Sequence, residues 1–172
     1  MMRKDETSSQ KAEQPLLVIV MGAVATGKTR LRREKYSKGF TSIDAGEIFI
    51  QLSEGEYYDF PSLLETKMDE IGRNKMRESV QKRENIVVEI AGVDYELVKE
   101  MIDQAEKINY TVQLDYVECD INLAWEQNIG RGDDNISAFF SEKYHYSWFR
   151  EAVKKVSASS FNNLQIISKI ET

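Results

Sequence analysis

Apolar and polar positions along this chain fall into blocks that follow one another in a regular order. "PLLVIVM" (15–21) is a continuous apolar run, the pattern of a strand buried on both faces of a parallel sheet. A helix begins within "GKTRLRREKYS", and "GFTSID" forms a second short strand closed by Asp44. Pro61 is suited to a first helical turn and opens a long helix in "PSLLETKMDEIGRNKMRESVQKR". Its buried stripe is Leu64, Met68, Ile71 and Met76. "NIVVEIAG" is a third strand. The amphipathic "DYELVKEMIDQAEK" then turns Val98, Met101, Ile102 and Ala105 inward. "YTVQLDYVE" is a fourth strand and "DINLAWEQN" a further helix. After the polar loop "IGRGDDNIS" come a last long helix, from about Ala138 to Val156, and the strand "LQIISKI".

Strands alternating with helices predict an α/β fold, a single doubly wound parallel sheet of about five strands. No repeat and no linker divides the chain. Residues 1–14 read as a disordered leader, and 15–172 as one domain. One residue fits poorly: Asp115, in the middle of "VQLDYV", is awkward in a strand covered on both faces.

Charge and cysteine content narrow the class. A net charge of −6 disfavours a broad nucleic-acid or anionic-membrane surface. Cys119 is the single cysteine and cannot form an internal disulfide, which points to a reducing compartment. The N-terminal "MMRKDETSSQKAEQ" lacks the apolar core of a secretory signal. The longest apolar run is too short to cross a bilayer. Together these predict a cytoplasmic protein.

The specific chemistry lies in "MGAVATGKTR" (21–30). Gly22, Gly27, Lys28 and Thr29 satisfy G-x-x-x-x-G-K-[ST] in full, with Ala23, Val24, Ala25 and Thr26 between the glycines. Glycines let the backbone turn sharply and bring its N–H groups against phosphate oxygens. The helix that follows offers unpaired N–H donors and the positive end of its dipole. Lys28 supplies an ammonium for the β- and γ-phosphates, and the Thr29 hydroxyl a ligand for Mg²⁺. A buried strand before the motif and a helix after it give the context that the motif requires.

A phosphate loop does not by itself separate kinase from GTPase or motor. The nearest string to a guanine-reading N-K-x-D is "NKMR" (74–77), which lacks the Asp and lies inside a helix. No chain is left for a motor's second domain. Kinase chemistry also needs a metal, an acceptor-activating group and cations on the transferred phosphoryl. Asp44, at the end of the second strand, is a candidate for orienting or deprotonating an acceptor hydroxyl, with helix capping as the competing role. Glu89, ending the third strand, is a candidate for the metal or the acceptor. Arg131, in "IGRGDD", is a candidate lid cation. Arg73 is a weaker candidate for the acceptor pocket. Glu47 reads as the acidic first turn of a short helix.

Other conspicuous groups carry less. His145 is the only histidine, so no multi-histidine metal site exists, and Cys119 has no partner for zinc. The basic run Arg30, Arg32, Arg33 and Lys35 reads as a solvated helix face. The aromatics of "FFSEKYHYSWF" read as packing.

In this order, "MGAVATGKT", "FTSIDAG", "MDEIGRNKM", "NIVVEIAG" and "NIGRG" resemble the zeta toxin group of P-loop kinases, over roughly residues 15–150. That resemblance implies transfer of the ATP γ-phosphate to a hydroxyl, UDP-N-acetylglucosamine being the acceptor of zeta toxins. It also implies an antitoxin-like protein inhibitor as a possible partner. Lys28 and Thr29 match the phosphate and magnesium residues. Asp44 matches the first acid of the family's D-x-D, Arg73 an acceptor-associated arginine, Glu89 the Glu of E-G-T, and Arg131 a lid arginine. The departures are Gly46 for the second acid of D-x-D, "EIA" for E-G-T, and Asn128 where a second lid arginine is expected. "DAGEIF" is also similar to the acceptor segment of nucleoside monophosphate kinases. A nucleoside monophosphate, a polynucleotide 5′-hydroxyl, or a non-catalytic ATP-binding role therefore remain alternatives; the acidic charge counts against the polynucleotide.

Overall fold

The computed structural model describes residues 13–23, 25–52, 62–90, 95–129 and 164–168. Most of residues 1–14, Val24, Pro61, Arg131, the helix expected over 138–156 and His145 lie outside these residues.

Among the described residues ten elements follow one another: β1 (Leu16–Met21), α1 (Lys28–Tyr36), β2 (Thr41–Asp44), α2 (Ala45–Leu52), α3 (Ser62–Gln81), β3 (Ile86–Ile90), α4 (Tyr95–Lys107), β4 (Thr111–Glu118), α5 (Ile121–Ile129) and β5 (Leu164–Ser168). The five strands form one sheet in the order β2-β3-β1-β4-β5, and every pairing is parallel. β1 therefore sits at the centre, flanked by β3 and β4, which explains its unbroken apolar sequence. Val18 through Met21 have no accessible surface.

Alternation along the strands sorts the core into two layers. Leu17, Ile19 and Met21 pack with Ile86, Val88, Val112, Leu114 and Tyr116 against Val98, Ile102 and Ala105 of α4, with Met76 and Val80 of α3 at the margin. Val18 and Val20 pack with Val87, Val117, Leu31 and Tyr36 on the side covered by α1. Met68 joins α3 to Ile48 of α2, with Ile71 beside them.

The same period of two explains Asp115. It shares the α1 side of β4 with Val117 and Gln113, and it is fully buried. The Tyr36 hydroxyl donates to its Oδ2 at 2.6 Å, while Gln113 Nε2 donates to its Oδ1 at 2.8 Å and to the Tyr36 hydroxyl at 2.9 Å. Burial, together with the hydrogen bond and charge of Asp115, holds the Tyr36 phenol well above its ordinary value, so the hydroxyl stays a donor. A closed polar triad thus replaces the awkward lone acid expected from sequence. Tyr36→Phe leaves Asp115 with one donor, and should cost about 1–3 kcal/mol of stability. Urea unfolding with an unchanged m-value would measure it.

Candidate active site

Between β1 and α1 the chain folds into a loop whose shape only a few residue types permit. A Cβ on Gly22 would lie 2.7 Å from the Val117 carbonyl of β4 and 2.9 Å from Thr26 Oγ1, so only glycine allows this approach. Gly27 takes φ 98° and Ala25 φ 60°. The left-handed value at Ala25, which has a Cβ, stores strain of the order of 1 kcal/mol. Inside the loop the Ala23 carbonyl accepts from Thr26 Oγ1 at 2.9 Å and from Lys28 Nζ at 2.8 Å.

α1 begins directly on this loop. Gly27 caps it without a side-chain hydrogen bond, and its first turn carries no acid. A glycine at this position offers no side-chain oxygen to the leading N–H groups, which is the kind of helix start that suits an anion.

Two strands bring carboxylates to α1. Ser42 and Asp44 of β2 and Glu89 of β3 fall on its side of the sheet, and Asp44 stands directly across from Glu89 in the register. Thr29, Arg32 and Tyr36, spaced i, i+3 and i+7, form the face that α1 turns toward them. Thr29 Oγ1 donates to Glu89, 2.9 Å from Oε1 and 3.2 Å from Oε2. Arg32 is 4% exposed and bonds outward through every nitrogen of its guanidinium. Nε reaches Glu89 Oε2 at 3.0 Å, Nη1 reaches Ser42 Oγ at 2.6 Å, and Nη2 reaches Asp44 Oδ2 at 2.9 Å and Glu47 Oε1 at 2.7 Å.

Arg32 therefore departs from the expected solvated basic run. Arg30 and Arg33 do face solvent, Arg30 paired with Glu34 along the helix. Arg32 lies on the same helical stripe as Thr29, and that spacing was the available signal. What the chain sequence hid was the set of acids that β2 and β3 would deliver.

The electrostatics follow from three carboxylates meeting one guanidinium. Burial works against the charge of Arg32, but bonds to Glu47 and Glu89 and the Asp44 charge prevail and raise its pKa. Asp44 is pushed up, first by burial and then by the Glu89 charge, against the opposing Gly46 N–H and Arg32. Its Oδ1 accepts from Gly46 N at 2.9 Å at the start of α2, so capping and site-facing roles share one side chain.

The structure thus brings Lys28, Thr29, Asp44 and Glu89 to one edge of the sheet. Arg73 is separate: it is exposed on α3 and donates to its own helix backbone at Asp69, 3.3 Å away. Arg131 lies outside the described residues.

The donor set suits Mg·ATP. Thr29 and Glu89 offer adjacent hard oxygens, and Mg²⁺ in such sites takes only one or two from protein, the rest from phosphate and water. Among the described residues no group of three His, Cys, Asp or Glu could hold a metal, so such an ion would be shared with phosphate. The Gly22 gap and the glycine-capped α1 terminus suit the phosphates themselves.

The zeta toxin family profile matches residues 1–170. The chain belongs to the zeta toxin family. No curated protein matches the chain by sequence.

Among solved structures, this zeta toxin family member is similar to the Pnkp1/Rnl/Hen1 RNA repair complex, with a TM-score of 0.71 and 11% identity over 86% of this chain and 48% of that one. It therefore spans about half the length of that relative. It is also similar to the PezAT chromosomal toxin–antitoxin system of Streptococcus pneumoniae, at TM-score 0.65 and 14% identity over 95% of this chain and 72% of that one. A third is AvrRxo1-ORF1:-ORF2 with ATP, at TM-score 0.65 and 17% identity over 93% and 56% of the two chains. At such identities the likeness is one of fold.

Two outcomes follow from this geometry. Gly22→Ala should lower stability by about 1–3 kcal/mol, because the clash is with backbone and cannot be relieved by a rotamer; it should also weaken ATP binding, as thermal denaturation with and without nucleotide would show. For Asp44 the raised pKa means that the fold favours its protonated form. That carboxyl's contribution is present at low pH and lost as pH rises through its folded value. The melting temperature of wild type relative to Asp44→Asn should therefore rise as pH falls from neutral toward the ordinary aspartate range.

Proposed function

We propose that this protein transfers the γ-phosphate of ATP to a hydroxyl of a small-molecule acceptor. The observation that carries this reading is the placement of Asp44 across the strand register from Glu89, the carboxylate that the phosphate loop's Thr29 contacts. A nucleotide sugar such as UDP-N-acetylglucosamine is the acceptor that the family membership favours.

The loop backbone from Gly22 to Thr29 and the α1 N-terminus hold the phosphates. To reach them, the Lys28 ammonium leaves the Ala23 carbonyl and turns to the β- and γ-oxygens. Thr29 and Glu89 would hold Mg²⁺, which when bound neutralises charge on those oxygens. Asp44 accepts the acceptor's proton or orients its hydroxyl; burial and the neighbouring Glu89 raise its pKa, the direction that favours proton acceptance by a carboxylate. Arg131 supplies a further cation from the lid segment, and Arg73 contributes on the acceptor side. The remaining catalysis is positioning and charge neutralisation.

The family's second acid is missing at Gly46, but a neighbouring carboxylate is supplied by Glu47, whose Oε1 meets the same Arg32 nitrogen as Asp44. This supports a working site in place of a degenerate one. The likeness to the PezAT toxin–antitoxin system supports an antitoxin-like protein inhibitor as partner. Among the described residues no helix is long and apolar enough to cross a membrane, and we place the protein in the cytoplasm on its single cysteine and its family.

The test is Mg²⁺-dependent ATP turnover across a panel of UDP-N-acetylglucosamine, other nucleotide sugars, nucleoside monophosphates and a 5′-hydroxyl oligonucleotide. One nucleotide sugar should stimulate turnover strongly, and Lys28→Ala should abolish it while the circular dichroism spectrum is kept. ATP binding with no stimulation by any member would sink the kinase reading in favour of a regulatory ATP-binding protein.

A further inference from the structure

We propose that Arg32 is a positioning residue that ties the acceptor-side Asp44 to the metal-side Glu89, so that one guanidinium sets both halves of the site. The proposal rests on the kinase reading above and deepens it.

Asp44, the last residue of β2, and Glu89, one before the end of β3, are paired across adjacent parallel strands and face the same side. Two such carboxylates repel, and an unbridged pair would splay or lose a charge. Arg32 stands between them with a planar fork, Nε on Glu89 and Nη2 on Asp44, while Nη1 is fixed by Ser42. A lysine at this position has one nitrogen and cannot span these partners. On Glu89 the guanidinium takes Oε2, and the Thr29 hydroxyl lies nearer Oε1. The carboxylate is thereby held against rotation, with Oε1 turned toward the phosphate loop's own ligand residue. Glu47 completes the clamp from α2 and is the more exposed of the acids, so it keeps a counter-charge on Arg32 if Asp44 turns to an acceptor.

A guanidinium that merely fastens α1 to the sheet would make the same bonds. The two roles separate in the Mg²⁺ dependence of nucleotide binding. The experiment compares ADP affinity with Mg²⁺ and with EDTA by calorimetry, on the full chain, for wild type, Arg32→Lys and Arg32→Gln, with circular dichroism to confirm folding. Lysine keeps the charge and gives a folded variant even where glutamine does not. We expect EDTA-state ADP affinity close to wild type in Arg32→Lys, because the phosphate loop is untouched. The Mg²⁺ enhancement should fall about 10–100-fold, as when the outer partner of a metal ligand is removed.

Coupling to Asp44 is read from a double-mutant cycle. Asp44→Asn should alter the Mg²⁺ enhancement in the wild-type background and leave it unmoved in Arg32→Lys. An unchanged enhancement in a folded Arg32 variant, or the same effect of Asp44→Asn in both backgrounds, would overturn the proposal. A wild type that binds no ADP under either condition would remove the kinase reading itself, and the proposal with it.

Discussion

A charged guanidinium buried at 4% exposure is tolerable only if its partners are held as firmly as it is, and this constraint shapes the active edge of the sheet. Arg32 cannot sit where it does unless Asp44 and Glu89 are paired in register, α2 starts immediately after β2, and α1 begins directly after Gly27. Each of these is observed. Removing Arg32 leaves three carboxylates without their shared cation in a poorly solvated place, so the cluster depends on it. The cluster also carries more acid than base. Such an arrangement has to be held by the surrounding fold, and it is relieved when a cation arrives.

The phosphate loop shows a different economy. Ala25 is held at a left-handed φ that glycine would adopt without cost, and Lys28 is folded back on the Ala23 carbonyl. The loop is therefore partly satisfied by its own atoms. A phosphate has to displace that internal bond, and measured affinity is the difference between the two states.

Much of this was legible from sequence, for reasons that differ by residue. β1 and the loop could be read because a doubly buried strand and a tight phosphate-binding turn each admit few residue types. The parallel pairing followed from alternation of elements, whereas the strand order emerged only from the structure. The inward positions of α4 followed from helical period, since Val98, Ile102 and Ala105 are buried as expected. Arg32 was not legible from composition, because a basic run looks alike whether solvated or clamped; only its spacing from Thr29 marked it. Asp115 could be flagged as misplaced, yet its solution lay 79 residues away in Tyr36, a pairing that no local pattern encodes. Asp44 posed a choice between cap and site residue that the fold does not require, since its two oxygens go to different partners.

α1 is fastened near both ends, to β3 and β2 through Thr29 and Arg32, and to β4 through Tyr36. These strands lie on opposite sides of β1, so the helix is a crossbeam pinned across the centre of the sheet. It can neither slide along the strands nor roll about its own axis without breaking a buried polar contact. A nine-residue helix this polar would have little reason to persist alone; here its rigidity is borrowed from the sheet. Whatever rearranges when substrates arrive must pivot around this beam.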